Sequence, residues 1–93
     1  MEMSERIIMA GKYTPLEQHF TALSSSQRDV TLSFEQIELI LNDRLPPSAF
    51  THRAWWANET KGQHIHAHSW MDAGWKVDTV NFNGKWVRFR RGK

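Results

Sequence analysis

Apolar residues recur at intervals of three and four early in the chain, which is the spacing of an amphipathic helix. The first such helix is predicted to begin at Thr14, which can cap the exposed amides, with Pro15 in the first helical position and Glu17 completing a capping box. Its apolar stripe consists of Leu16, Phe20 and Leu23. We therefore expect a short helix that buries one face in a core.

A strand and a second helix are predicted next. The segment 30–32 (Val-Thr-Leu) is typical of a short strand, and Ser33 with Gln36 forms a second capping box. The helix that follows is expected to run to about Asn42, because the two prolines at 46–47 prevent its continuation. Its predicted buried face consists of Phe34, Ile37, Ile40 and Leu41.

The middle of the chain has a less regular pattern. Ser48 is a candidate cap for a short helix that carries Phe50, Ala54 and Trp55, with a polar loop from about 58 to 63. A further helix is predicted over about 63–73, with Gly74 as its C-terminal cap. Adjacent side chains on a helix diverge by about 100°, so Trp55 is expected in the core, while Trp56 is left open between core and surface.

The C-terminal segment predicts a β-hairpin. The dipeptide Asn83-Gly84 separates two β-rich runs, and both of its residues tolerate positive φ. That turn pairs Val80 with Val87, and a bulge near Asp78-Thr79 is required for Val77 to share their inward face. The outward face of the last strand then carries Trp86, Arg88 and Arg90.

Composition restricts the class of protein. The chain has 93 residues, 40% of them hydrophobic and 24% charged, and it contains no cysteine. Residues 1–12 are expected to form a flexible arm and residues 13–91 a single domain. No apolar run is long enough to span a bilayer or to resemble a signal peptide, so we expect a cytoplasmic protein with no membrane partner.

Charge is distributed unevenly along the chain. Residues 1–51 contain four Lys or Arg against seven Asp or Glu, whereas residues 52–93 contain eight against three. All five tryptophans also lie in the second part. A basic surface attracts polyanions, so this segregation indicates a nucleic-acid partner.

The predicted order of elements resembles a winged-helix domain, in which a hairpin follows the recognition helix. The resemblance rests on 30–41 and on 67–90, and it implies an α+β, winged-helix-like fold of three to four helices, a short strand and a C-terminal β-hairpin. The long segment 43–62 departs from the short turn of a helix-turn-helix. The chain also resembles a family of bacterial and phage domains without an assigned activity. The matching residues are Tyr13, Pro15, Leu16, Leu45, Pro46, Ser48, Ala49, Trp55, Trp56 and Asn58.

The functional expectation is a small regulatory or defence-associated module that binds nucleic acid, with double-stranded DNA as the expected form. Residues 63–72 would lie in or beside a major groove, and the hairpin would contact backbone or minor groove. The predicted binding residues are Arg53, Trp56, Asn58, His64, His68, Lys76, Lys85, Trp86, Arg88, Arg90 and Arg91.

Two other interpretations of these residues remain open. Positive charge on the hairpin also suits an edge strand that is kept from aggregating. A protein-interaction module, such as an adaptor or inhibitor, would instead use a surface around Phe50 and Trp56 together with the acidic first half.

Catalysis and metal binding are not expected. His64, His66 and His68 lack the glutamate of a metalloprotease motif and have no well-spaced acid, so we predict no metal and no cofactor. The sequence also contains no glycine-rich phosphate loop and no cysteine nucleophile, so we predict that the protein is not an enzyme.

Overall fold

A computed structural model describes residues 12–59 and 65–92 of the chain, and these form an α+β domain. The N-terminal arm predicted over 1–12 therefore lies almost wholly outside the described residues, as does His64. The helices are α1 (Thr14–Thr21), α2 (Phe34–Leu41), α3 (Ser48–Thr51) and α4 (His68–Met71), with 3-10 helices at Arg53–Trp56 and Ile65–Ala67. The strands are β1 (Asp29–Ser33), β2 (Trp75–Asn81) and β3 (Trp86–Arg91).

The capping predictions have different outcomes in the helices. Ser33 caps α2 as predicted, because its Oγ accepts from the Gln36 amide at 2.9 Å and its own amide donates to the Gln36 side chain at 2.8 Å. The predicted cap at Thr14 is wrong, since Thr14 is already helical and Tyr13 precedes the helix. Ser48 likewise lies inside α3 rather than capping it. Both of these helices instead follow turns that need no side-chain cap.

The predicted helix over 63–73 is shorter than expected. Within the described residues it consists of one 3-10 turn, Ile65–Ala67, followed by the single α-turn of α4. The predicted cap at Gly74 is wrong, because the helix is capped by Asp72; Gly74 instead ends the turn that follows, with a φ of 90°. No helix in the described parts of the chain has the length and apolar character needed to cross a membrane.

The three strands form one antiparallel sheet in the order β1-β3-β2. The hairpin pairs Val80 with Val87 as predicted, and the register shifts between Val77 and Thr79. The bulge expected near Asp78 is therefore confirmed. Because β3 lies between two partners, its side chains alternate strictly between the core and the opposite face.

The hairpin turn differs in conformation from the prediction. Positive φ occurs at Lys85 (57°), whereas Asn83 and Gly84 do not adopt it. Four residues, 82–85, connect β2 to β3, and a loop of this length is usually built around an ordinary type I turn. Gly84 is needed for another reason: a Cβ at this position would lie 2.7 Å from Nε1 of Trp86.

The core lies between the inner face of the sheet and the helices, and it is rich in aromatic rings. Phe34 stacks on Trp56 with ring centres 5.6 Å apart, and Phe20 meets Phe89 edge-on at 4.7 Å. The largest fully buried side chains are Trp56, Trp70, Trp75, Phe20, Phe34 and Phe89. Trp56, with Leu45 and Ala49, brings the described part of this segment, 43–59, into the core rather than leaving it as a peripheral insertion.

Asn58 joins this segment to the edge of the sheet. Its Oδ1 accepts from the Val77 amide at 2.7 Å and from Nε1 of Trp70 at 3.0 Å, and its Nδ2 donates to the Val77 carbonyl at 2.9 Å. The side-chain amide thus pairs with β2 as a neighbouring strand would, which covers part of that strand's open edge.

We predict that Asn58→Ala lowers the free energy of unfolding by about 1–3 kcal/mol, because three polar groups lose their partner. Asn58→Asp should also lose stability, because it retains the oxygen that accepts two bonds but turns a second carboxylate oxygen toward the Val77 carbonyl, which is itself an acceptor. Urea unfolding of both variants tests this expectation. An alanine variant as stable as wild type would contradict the structural role.

We predict that Gly84→Val lowers the free energy of unfolding by about 1 kcal/mol or more, because the new side chain overlaps the indole of Trp86. Gly84→Ala should show the same direction with a smaller loss, whereas Asn83→Ala in the same turn should have little effect. Thermal melts of the three variants check this, and equal melting temperatures would refute the close approach.

Candidate functional site

The outer face of the sheet, opposite the core, brings most of the predicted binding residues of the hairpin together. Cross-strand partners share a face, so three rows cross the sheet from the turn to its far end. In the order β1, β3, β2, the rows are Ser33, Trp86, Asn81; then Thr31, Arg88, Thr79; then Asp29, Arg90, Lys76. We call these nine residues, with Asp78 of the bulge, the outer sheet face.

Trp86 differs from the other four tryptophans in its surroundings. Trp56, Trp70 and Trp75 are part of the hydrophobic core, and Trp55 packs against it, whereas Trp86 is half-buried and absent from this cluster. Its ring lies beside the backbone of the turn, because the missing Cβ of Gly84 leaves room for it. Trp86 is therefore an aromatic ring that the core does not require.

The two arginines of β3 share one carboxylate. Nε of Arg88 lies 3.5 Å from Oδ2 of Asp78, and Nη2 of Arg90 lies 3.7 Å from the same oxygen. Both distances are longer than a good hydrogen bond, and the buried Nε of Arg88 has no hydrogen-bond partner among the described residues. Neither guanidinium group therefore has a close ion pair, and the two side chains are 43% and 63% exposed.

Lys76 and Arg90 face each other directly across β2 and β3. Like charges in this position repel and weaken a sheet. Both also line an open pocket of about 220 Å³ at the end of the hairpin, together with Val77, Asp78, Arg91 and Gly92. Two carboxylates, Asp29 on β1 and Asp78 of the bulge, also lie near Arg90, and an anion bound between Lys76 and Arg90 would offset the remaining repulsion between these two cations.

Three residues predicted to bind nucleic acid have structural roles. Trp56 is fully buried, and its Nε1 donates to the Ala49 carbonyl at 2.9 Å, so its placement on a binding surface is wrong. Asn58 uses its amide to hold β2. Arg91 points to the inner side, where it lies over the ring of Trp75 at 4.5 Å and donates to the carbonyls of 24 and 27.

The remaining predicted residues lie away from the three rows. Arg53 is exposed at the start of a 3-10 helix, and His68 on α4 contacts Asp72 through Nδ1 at 3.0 Å. Lys85 is exposed in the turn beside Trp86, and its carbonyl accepts from the Phe34 amide at 2.8 Å. Of these, only Lys85 adjoins the outer sheet face.

Three polar residues of β1 belong to the site but were not predicted. Asp29, Thr31 and Ser33 alternate with the inward-facing Val30 and Leu32, and that alternation is visible in the sequence. The sequence does not show that β1 pairs with β3, whose paired residues are 53 or more positions away, so these side chains could not be assigned to the same surface as the arginines.

A second polar cluster lies near the start of α1. The imidazole of His66 stacks on Trp55 with centres 3.9 Å apart, and its Nε2 lies 2.6 Å from the Trp55 carbonyl oxygen. Tyr13 meets both rings, and burial, with a smaller effect of the Asp43 carboxylate, raises its pKa above the ordinary value. These contacts are those of packed structural groups rather than of a catalytic pair.

Within residues 12–59 and 65–92, no group of three or more His, Asp or Glu side chains is arranged to hold a metal ion. The paired donors on α4, His68 and Asp72, supply two ligands at most.

Comparison with known proteins identifies a family but no characterised relative. No curated protein and no solved structure matches the chain. The sequence model of DUF7662, a domain of unknown function, matches residues 13–92, which is most of the chain and includes every described element. The chain therefore belongs to the DUF7662 family.

Proposed function

We propose that this domain binds nucleic acid through its outer sheet face. The observation that carries the proposal is the position of Trp86 outside the core, on the same face as Arg88 and Arg90. Arginine neutralises phosphate, and an accessible aromatic ring stacks on a base. A single surface of this domain offers both interactions.

The position of β3 argues against the alternative of a protected edge strand. Charged side chains suppress aggregation where a strand has an unpaired edge. β3 is paired on both sides, by β1 and by β2, so its arginines do not lie on an edge strand. Their positive charge therefore calls for another explanation, and contact with a polyanion supplies one.

The winged-helix resemblance forms part of the proposal. Apart from the additional short helix α3, the order of the described elements is helix, strand, helix, helix and hairpin, which is the order that this resemblance implies. The helix at 65–71 offers little for groove reading, however, because Ala67, Ser69 and Trp70 are buried. We therefore assign the main contacts to the outer sheet face rather than to this helix.

One observation favours protein interaction as a second candidate function. Leu39 on α2 is 74% exposed, and it borders an open acidic pocket with Glu35, Glu38 and Asp43. The surface predicted around Phe50 and Trp56 cannot serve this purpose, because Trp56 is buried and Phe50 packs edge-on against Phe34 at 5.2 Å. A basic partner would suit the α2 surface instead.

We predict that the double variant Arg88→Ala with Arg90→Ala flattens the log–log salt dependence of binding by about 1.4 to 1.8 units. Each neutralised phosphate contributes about 0.7 for a single strand and about 0.9 for a duplex. Fluorescence anisotropy with a labelled 20-residue oligonucleotide in both forms, from 50 to 300 mM salt, measures the slope.

Arg44→Ala is the matched control for this experiment. Arg44 is exposed but lies between α2 and α3, away from the three rows, so its removal should leave the slope almost unchanged. Absence of wild-type binding at 50 mM salt, or an unaltered slope in the double variant, would refute the proposal.

We predict that Asp78→Asn tightens binding about two- to fivefold, because the carboxylate competes with phosphate for both arginines. Glu35→Gln removes one negative charge from exposed α2 and should have a smaller effect. Titrations at one salt concentration compare the two variants. Equal gains would show that net charge, rather than this contact, controls affinity.

A further inference from the structure

We infer that the ligand of the outer sheet face is a single-stranded nucleic acid, which lies across the sheet with one unpaired base stacked on Trp86. This inference rests on the function proposed above and specifies the class of nucleic acid. It replaces the duplex expected from the sequence, and three features of the sheet support it.

The first feature is the extent to which β1 holds the hairpin. β1 pairs with β3 from Arg90 to Trp86, which covers five of the six residues of β3 and reaches the last pair before the turn. The Phe34 amide extends this contact to Lys85, and the Phe34 ring meets Phe82 of the turn. The hairpin is therefore held along its length and leaves only its turn free.

The second feature is the width of the surface. Neighbouring strands lie about 4.8 Å apart, so the backbones of β1 and β2 are separated by roughly 10 Å before any side chain is added. The major groove is about 12 Å wide and admits a helix or a two-stranded ribbon. Trp86, Arg88 and Arg90 lie on the central strand, where a duplex groove cannot close around them.

The third feature is the chemistry along β3. Outward side chains follow one another at about 6.7 Å, so the ring of Trp86 and the two guanidinium groups form a line roughly 13 Å long. A base stacks on a ring only when its face is exposed, which base pairing in a duplex prevents. The polar neighbours Ser33 and Asn81 flank Trp86 in its row without adding another ring.

The experiment compares three labelled 12-residue probes of one mixed sequence: single-stranded DNA, single-stranded RNA and duplex DNA. At 150 mM salt we expect either single strand to bind at least about tenfold more tightly than the duplex, the amount that one stacked base can supply. RNA and DNA single strands distinguish the two possible sources of the ligand.

Variants at Trp86 test the stacked base directly. Trp86→Ala should lose about tenfold or more in single-strand affinity, with little change in salt slope, because stacking releases no counterions. Trp86→Phe keeps an aromatic face and should retain most of the affinity. Binding should also quench tryptophan fluorescence in wild type, and much less in Trp86→Phe, since the other four tryptophans belong to or pack against the core. Thermal melts establish that both variants fold.

The outcomes separate this inference from the proposed function. Duplex binding as tight as single-strand binding, or full single-strand affinity in folded Trp86→Ala, overturns the inference and leaves nucleic-acid binding intact. Failure of all three probes to bind at 50 mM salt overturns both.

Discussion

The pairing of β3 on both sides is the constraint on which the rest of this domain depends. Because β1 and β2 both bond to it, β3 cannot twist independently, and its alternation fixes two surfaces at once. Val87 and Phe89 are fully buried on the inner side. The same alternation presents Arg88 on the opposite side, where its side chain is 43% exposed. The core and the candidate site therefore lie on opposite faces of the same strand.

The aromatic core explains why so small a domain can leave a tryptophan on its surface. A chain of this length has limited apolar area to bury, and large rings supply much of it. Two of the three buried indoles have hydrogen-bond partners, Ala49 for Trp56 and Asn58 for Trp70, whereas Nε1 of Trp75 has none among the described residues. Six large rings already fill the interior without Trp86, so its place outside the core calls for an explanation other than packing.

Local signals in the sequence were sufficient for several elements, and non-local contacts explain the failures. The capping box at Ser33 and the register shift beside Asp78 depend on neighbouring residues and on alternation, so both could be predicted. The burial of Trp56 depends on Phe34, which is 22 residues away in sequence. The hydrogen bonds of the Asn58 side chain depend on Val77, which is 19 residues away. The prediction of the hairpin turn was correct in location but wrong in conformation. The loop has four residues rather than two, and the positive φ occurs at Lys85. Of the candidate site, the outward side chains of β3 could be predicted, whereas their partners on β1 could not.

The arrangement of charge on the outer sheet face is the strongest physical argument that this surface has a ligand. Arg90 has the acidic Asp29 as its partner on β1 but the basic Lys76 as its partner on β2. A face shaped by stability alone would place opposite charges at both positions, because directly opposed like charges destabilise a sheet. Asp78 offsets part of this repulsion from the bulge, but at 3.7 Å from Arg90 it does not replace a close ion pair. A phosphate between Lys76 and Arg90 would attract both side chains, so the proposed ligand would offset this repulsion.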